Sequence, residues 1–154
     1  MRYIVIVTLA PLFCGCGQKS NDIPDVSVKP DDAFRLFAGL KALAPVPDGV
    51  KNLQASRAVW QDFTVCCRFT APQQVVDTIV ANGYSPTNWA AIVSEMSPEP
   101  YVDDFSPKWN PADLKQKKCY TKRVEQNHST DILHLVVDRQ QGLVYAVGAG
   151  SVHP

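Results

Sequence analysis

Motifs for several common chemistries are missing from this chain of 154 residues. There is no C-x-x-C, which argues against a dithiol redox centre, and the cysteines and three histidines do not fall at zinc-ligand spacing. No G-x-S-x-G or S-x-x-K marks a serine nucleophile. Asp103-Asp104 lacks the alternating oxygen ligands and glycine turn of a calcium loop. Charged residues make up only 19% of the chain and balance to zero net charge, so nothing in the charge argues for a nucleic-acid partner. Repeats at solenoid periods and low-complexity runs are also missing. No metal or cofactor is implied.

What is present begins with an apolar run. Arg2 is followed by a low-polarity segment from Tyr3 to Phe13 and then by small residues, the three-part layout of a secretory signal. At ~1.5 Å per residue the run covers roughly half of a ~30 Å hydrocarbon core, too little for a spanning helix. Its end, Leu12-Phe13-Cys14-Gly15-Cys16, resembles the lipobox of bacterial lipoprotein precursors, with Gly15 and Cys16 carrying the likeness. The resemblance implies cleavage before Cys16 and a thioether-linked diacylglycerol on its sulfur. A further fatty chain such as palmitate would sit on the new amine. Several chains make physical sense, since burial contributes ~0.8 kcal/mol per CH₂ and one chain anchors only marginally. In that family an Asp after the acylated cysteine retains the protein on the inner membrane, so Gly17 favours the outer membrane where a cell has both.

Removing residues 1–15 leaves 139 residues, enough for one domain and a tether. It also removes Arg2, leaving 14 basic against 15 acidic residues. Residues 16–30 are expected to be the lipidated cysteine and a flexible tether, because GQKSNDIPDVSVKP is polar, carries two prolines and shows no periodicity. Extended at ~3.1 Å per residue, it would reach up to roughly 40 Å. Residues 31–154 form the expected domain.

Within that domain, Asp31 and Asp32 offer a cap for a helix over Ala33 to Ala44, where Phe34, Phe37, Leu40 and Leu43 recur at helical spacing. That face could lie on a membrane, since it begins near the tether. Arg35 and Lys41 are its only cations, however, fewer than an interfacial helix usually carries. Packing on the domain's own sheet is therefore the expected use, and Pro45 to Gly49 stops the helix. Phe63, Val65, Cys67 and Phe69 then alternate with Thr64, Cys66, Arg68 and Thr70, the period of a half-buried strand. Leu53 to Val59 is expected to pair with it across Trp60-Gln61-Asp62. Thr70-Ala-Pro-Gln73 has capping-box spacing, and Val75, Val76, Ile79 and Val80 predict a helix closed by Asn82-Gly83. Prolines fragment Tyr84 to Asp113 apart from a short helix at Asn88 to Met96. Strands follow at Cys119–Glu125, Ile132–Asp138 and Leu143–Gly148, joined by short polar turns. The expected fold class is α+β: one antiparallel sheet of about five strands, a hairpin plus a three-strand meander, with two or three helices packed on one face.

Three cysteines remain beyond Cys16. Neighbours on a strand point to opposite faces, so Cys119 could bridge to Cys66 or to Cys67 but not both. Such a bridge would close a loop of ~50 residues and stabilise by about 4 kcal/mol in the chain-entropy model. Among the histidines, His128 lies in a turn, His134 on the side of its strand shared with Ile132 and Val136, and His153 near the end. His134 reads as a satisfied sheet histidine ahead of a general base, while His128 with Asp131 is a candidate acid–base pair that turn solvation explains equally well. Acidic residues Glu95, Glu99, Asp103, Asp104 and Asp113 precede a basic cluster at Lys115, Lys117, Lys118, Lys122 and Arg123. That cluster is a candidate surface for a partner or for lipid headgroups, against the plainer reading of a solvated face. Of Trp60, Trp89, Trp109, Tyr84 and Tyr101, at least two tryptophans are expected in the core.

Together these features suggest a small lipid-anchored envelope protein that acts by binding, as an accessory, inhibitory or assembly domain. Its partner would be another envelope protein or a cell-wall component. The alternative is a small envelope enzyme, its hydrolytic or thiol-dependent site assembled from scattered residues such as His128, Asp131, Cys66 and Asp103. A third reading is a lipid or cell-wall contact domain using the basic cluster. The missing motifs weigh against the enzyme.

Overall fold

A computed structural model of the chain describes residues 28–59, 62–95, 111, 114–126 and 129–151. Cys16, most of the tether, Trp60, Glu99, Tyr101, Asp103, Asp104, Trp109, Asp113, His128 and His153 lie outside the described residues. Within them the order is α1 (Pro30–Ala38), β1 (Lys51–Val59), β2 (Asp62–Thr70), α2 (Gln73–Ala81), β3 (Ser85–Thr87), α3 (Trp89–Glu95), β4 (Lys117–Gln126), β5 (Ser129–Asp138) and β6 (Leu143–Ser151). The strands form a single sheet in the order β1-β2-β6-β5-β4-β3, antiparallel at every pairing. The α+β class with one antiparallel sheet is therefore correct, with six described strands rather than about five.

The added strand is β3, three residues long and containing Pro86, which is tolerable because β3 lies at an edge. The hairpin and meander form as their alternation implies. What joins them is β6, which runs along β2 from Leu143↔Thr70 to Ser151↔Asp62.

The first helix is shorter than its apolar spacing suggests. It ends at Ala38 because Gly39 adopts φ 65°, the left-handed conformation that closes helices, and Leu40 N–H donates back to the Arg35 carbonyl at 2.9 Å. Pro30 opens the first turn, and Asp31 and Asp32 follow inside it without capping through their side chains. Phe34 and Phe37 are buried on the sheet as expected, with Phe34 edge-on to Phe69 at 5.0 Å. Leu40 and Leu43 fall beyond the helix and are exposed.

The capping box of α2 does not form. Pro72 takes the N-cap position, and the Thr70 hydroxyl donates instead to the Lys51 carbonyl at 3.2 Å, beside an irregularity in β1 where Asn52 has φ 53°. α2 still buries Val76 and Ile79 where its stripe predicts. Its last turn supports α1: Asn82 Nδ2 donates to the Ala38 carbonyl at 2.8 Å, and the Tyr84 hydroxyl to the Phe37 carbonyl at 2.9 Å. Carbonyls at a helix end that would otherwise lack partners are thereby satisfied.

The helices do not all lie on one face. α1 and α2 cover Val65, Cys67, Phe69, Tyr120, Leu133, Leu135, Val137, Val144 and Ala146. α3 covers the other face through Ile92, which packs with Cys66, Cys119, Val136, Tyr145 and Val147. This corrects the expected arrangement and explains why β2 is buried on both sides. The central strands are a filling between two apolar layers, and Cys66 is as deeply buried as Cys67.

Candidate functional site

The α3 face carries the most concentrated polar chemistry among the described side chains. Asn88 starts α3 by accepting the Ala91 N–H on Oδ1 at 2.9 Å. Ile92 seats the helix, and Glu95, three residues later, shares its side of the helix. The Glu95 carboxylate consequently reaches the sheet and bridges two strands, holding Arg123 of β4 at 3.0 Å and His134 Nε2 of β5 at 3.3 Å.

His134 is buried, and Thr121 sits directly across from it on β4. Burial holds the imidazole below its ordinary range, opposed by Glu95, while the Arg123 guanidinium pushes the same way as burial. A neutral ring facing a carboxylate donates its Nε2–H, which leaves Nδ1 as an acceptor. Nδ1 has no protein partner, and neither has the buried Thr121 Oγ1. The expected satisfied sheet histidine is thus half satisfied, and the two orphan atoms share one cross-strand row.

No family model, curated protein or solved structure matches this chain. Its chemistry is therefore read from the geometry alone.

The thiols are free. Cys66, Cys67 and Cys119 are all buried, and the bridge expected of Cys119 with Cys66 or Cys67 is not formed. Sheet order gives the reason. β6 and β5 lie between β2 and β4, so three strand spacings, about 14 Å, separate the cysteines where a disulfide needs Cα atoms about 4.4–6.8 Å apart. Burial pushes the Cys67 thiol up to about 12. Cys66 is raised further by burial and by its neighbour Cys67, and Cys119 is raised by burial with Lys117 opposing. Thiolates, the nucleophilic and metal-binding form, are scarce at neutral pH in such surroundings. Among the described residues no three His, Cys, Asp or Glu side chains are grouped to hold a metal ion.

Of the candidate enzyme residues, the two that are described are not brought together. Asp131 is buried on the α1/α2 side, in step with Leu133 and Leu135, while Cys66 is on the α3 side. Burial raises the Asp131 carboxyl. His128 and Asp103 lie outside the described residues.

Nor do the five cations share one surface. Strand alternation sends Lys117 and Arg123 to the α3 face and Lys118 and Lys122 to the other. Lys117 lies over the Trp89 ring at 5.0 Å, and Arg123 is paired with Glu95. Lys122 donates to the Asn82 carbonyl at 2.8 Å and lies 5.7 Å from the centre of the Tyr84 ring. Lys115 lines a cavity of about 350 Å³ with Leu114, Gln116, Asp138, Gln140 and Gln141. There the Asp138 carboxylate already accepts the N–H groups of Gln140 and Gln141 at 2.9 and 3.2 Å. Of the aromatics, Tyr84 is buried and Trp89 packs half-buried against the α3-side core.

Sequence reasoning named Glu95, His134 and Arg123 separately and missed their union. The available signal was the three-residue spacing from Ile92 to Glu95, which aims the acid at whatever α3 covers.

Proposed function

We propose that this chain is a lipid-anchored envelope protein whose folded body works by binding rather than by chemistry, as an accessory, inhibitory or assembly domain. The observation that carries this reading is the apolar segment ending at Gly15-Cys16, which resembles a lipoprotein signal. Acylated Cys16 holds the body near a membrane, the outer one where a cell has two, within reach of an envelope protein or a cell-wall component. The state of the thiols supports the non-catalytic half: all three are buried with raised pKa, and Asp131 and Cys66 belong to opposite faces.

The intact mass of membrane-extracted protein, before and after reduction and alkylation, tests the anchor. Expected are loss of residues 1–15, added acyl mass on Cys16, and no mass change on reduction. Retention of Met1, or free solubility after cell disruption without fatty mass, overturns the anchored reading. A thiol-dependent enzyme, by contrast, requires at least one cysteine that iodoacetamide alkylates rapidly in the native protein near neutral pH.

A further inference from the structure

α1 and the segment leaving it carry exposed apolar side chains. Leu36 and Leu40 are each 36% exposed and Leu43 is 95% exposed, the only large hydrophobic side chains so exposed among the described residues. Ala42 and Pro45 are exposed beside them, and Lys41 is the single charged residue between Gly39 and Pro47. One exposed leucine needs no explanation, but three within eight residues concentrate exposed apolar area on this short segment.

Two contacts determine where this segment lies. Gly39 turns the chain out of the helix. The Arg35 side chain then draws it back, its Nε donating to the Ala44 carbonyl at 2.6 Å while its terminal nitrogens reach Asp32 at 2.7 Å and Asp31 at 3.8 Å. One guanidinium therefore ties the residue after Leu43 to the first turn of α1 and balances the two acids there. The chain enters α1 at Pro30, and only Gly17 to Lys29, thirteen residues, separate that point from Cys16. The chain from Cys16 thus enters the folded body at the start of α1, one short helix away from the leucines that follow its end.

We propose that Leu36, Leu40 and Leu43 form a bilayer-docking face that seats the body on the membrane holding acylated Cys16. The proposal rests on the anchored reading. The leucines enter the boundary between headgroups and acyl chains, about 5–10 Å deep, as the apolar side of an interfacial segment does. Lys41 meets the phosphates. The contact can be weak alone, because a short tether keeps the loop at an effective concentration on the order of millimolar. Docked in this way, the body takes one orientation instead of swinging on its tether.

The test uses the full-length protein carrying Leu43→Cys, extracted from membranes, labelled with an environment-sensitive fluorophore and reconstituted into phosphatidylethanolamine–phosphatidylglycerol vesicles. Acyl mass is measured on the same sample, and unsubstituted protein shows how far the buried native thiols label. The expected result is quenching by nitroxide-bearing lipid and protection from aqueous iodide, with a Gln74→Cys label on α2 behaving oppositely. In a Leu40→Cys-labelled protein, Leu43→Asp should lower the vesicle-docked fraction about ten-fold. If acyl mass is present and iodide reaches the Leu43→Cys label as freely as the Gln74→Cys label, docking is overturned and the anchor stands. Protection without lipid quenching, rising with protein density, overturns the bilayer in favour of a protein neighbour. If acyl mass is missing the anchor falls, and the same label on protein mixed with preformed vesicles still decides docking: lipid quenching sustains it and free iodide access ends it.

Discussion

Gly148 lies in the middle of β6, between Val65 of β2 and Leu133 of β5, where the sheet receives the ring of Phe37 from α1. A Cβ there would stand 2.7 Å from Leu133 Cδ2 and 3.3 Å from Phe37 Cε1. Neither neighbour can easily yield, as both side chains are almost fully buried, and the Phe37 carbonyl is held by the Tyr84 hydroxyl. Overpacking of this kind costs about 1–3 kcal/mol. Replacing a strand glycine returns roughly 0.5–1 kcal/mol by restricting the unfolded chain. Gly148→Ala is therefore expected to destabilise by up to about 2.5 kcal/mol, lowering the urea midpoint by up to about 1 M at a typical slope. The decisive arm is Leu133→Ala, which alone costs about 2–5 kcal/mol but empties the space that the new methyl needs. In that background Gly148→Ala should be neutral or stabilising, a coupling of about 1 kcal/mol or more. Strict additivity in the double variant would refute the close approach of Leu133 to Gly148.

Tyr84→Phe leaves the buried Phe37 carbonyl without its donor and should cost about 1–3 kcal/mol in the same urea assay. His134 has a folded pKa below its ordinary value of 6.5, so below that pH the unfolded chain binds a proton that the folded chain holds off. This group should therefore erode stability as pH falls from 6.5 towards the folded value, and contribute nothing above it. Asp131, raised above 3.8, acts in the opposite sense lower on the scale: its contribution is present below 3.8 and lost as pH rises through the folded value. Ring-proton NMR titration should find the His134 pKa raised by Arg123→Met and lowered by Glu95→Gln, and movement the other way would sink the shared-carboxylate geometry. In protein cleaved and acylated at Cys16, a thiol count with Ellman's reagent should rise from almost none in the native state to three in urea without reductant, whereas one thiol would mean that a bridge exists.

Much of the fold is legible in the sequence where the signal is short-range. Alternation of Phe63, Val65, Cys67 and Phe69 identifies β2, and the Val75, Val76, Ile79 stripe identifies α2. Turn formers also separate β4, β5 and β6 at about the expected points. Errors arise where one local rule competes with another. Helical spacing runs on through Leu40 and Leu43, but the left-handed turn at Gly39 wins because the first residues past it gain nothing from staying helical. Thr70 has the spacing of a capping residue, yet Pro72 takes the N-cap position and the Thr70 hydroxyl, at the end of β2, donates across to the Lys51 carbonyl of β1.

The chain alone determined the existence and type of most elements and the two apolar periods, because each depends on residues a few positions apart. Tertiary structure decided that β6 lies along β2, that α3 crosses to the face opposite α1, that Cys119 is separated from the other thiols by two intervening strands, and that Glu95 meets His134 and Arg123. These arrangements join residues tens of positions apart. They are chosen by burying apolar surface on both sides of one sheet, a condition that no local stretch of sequence can state.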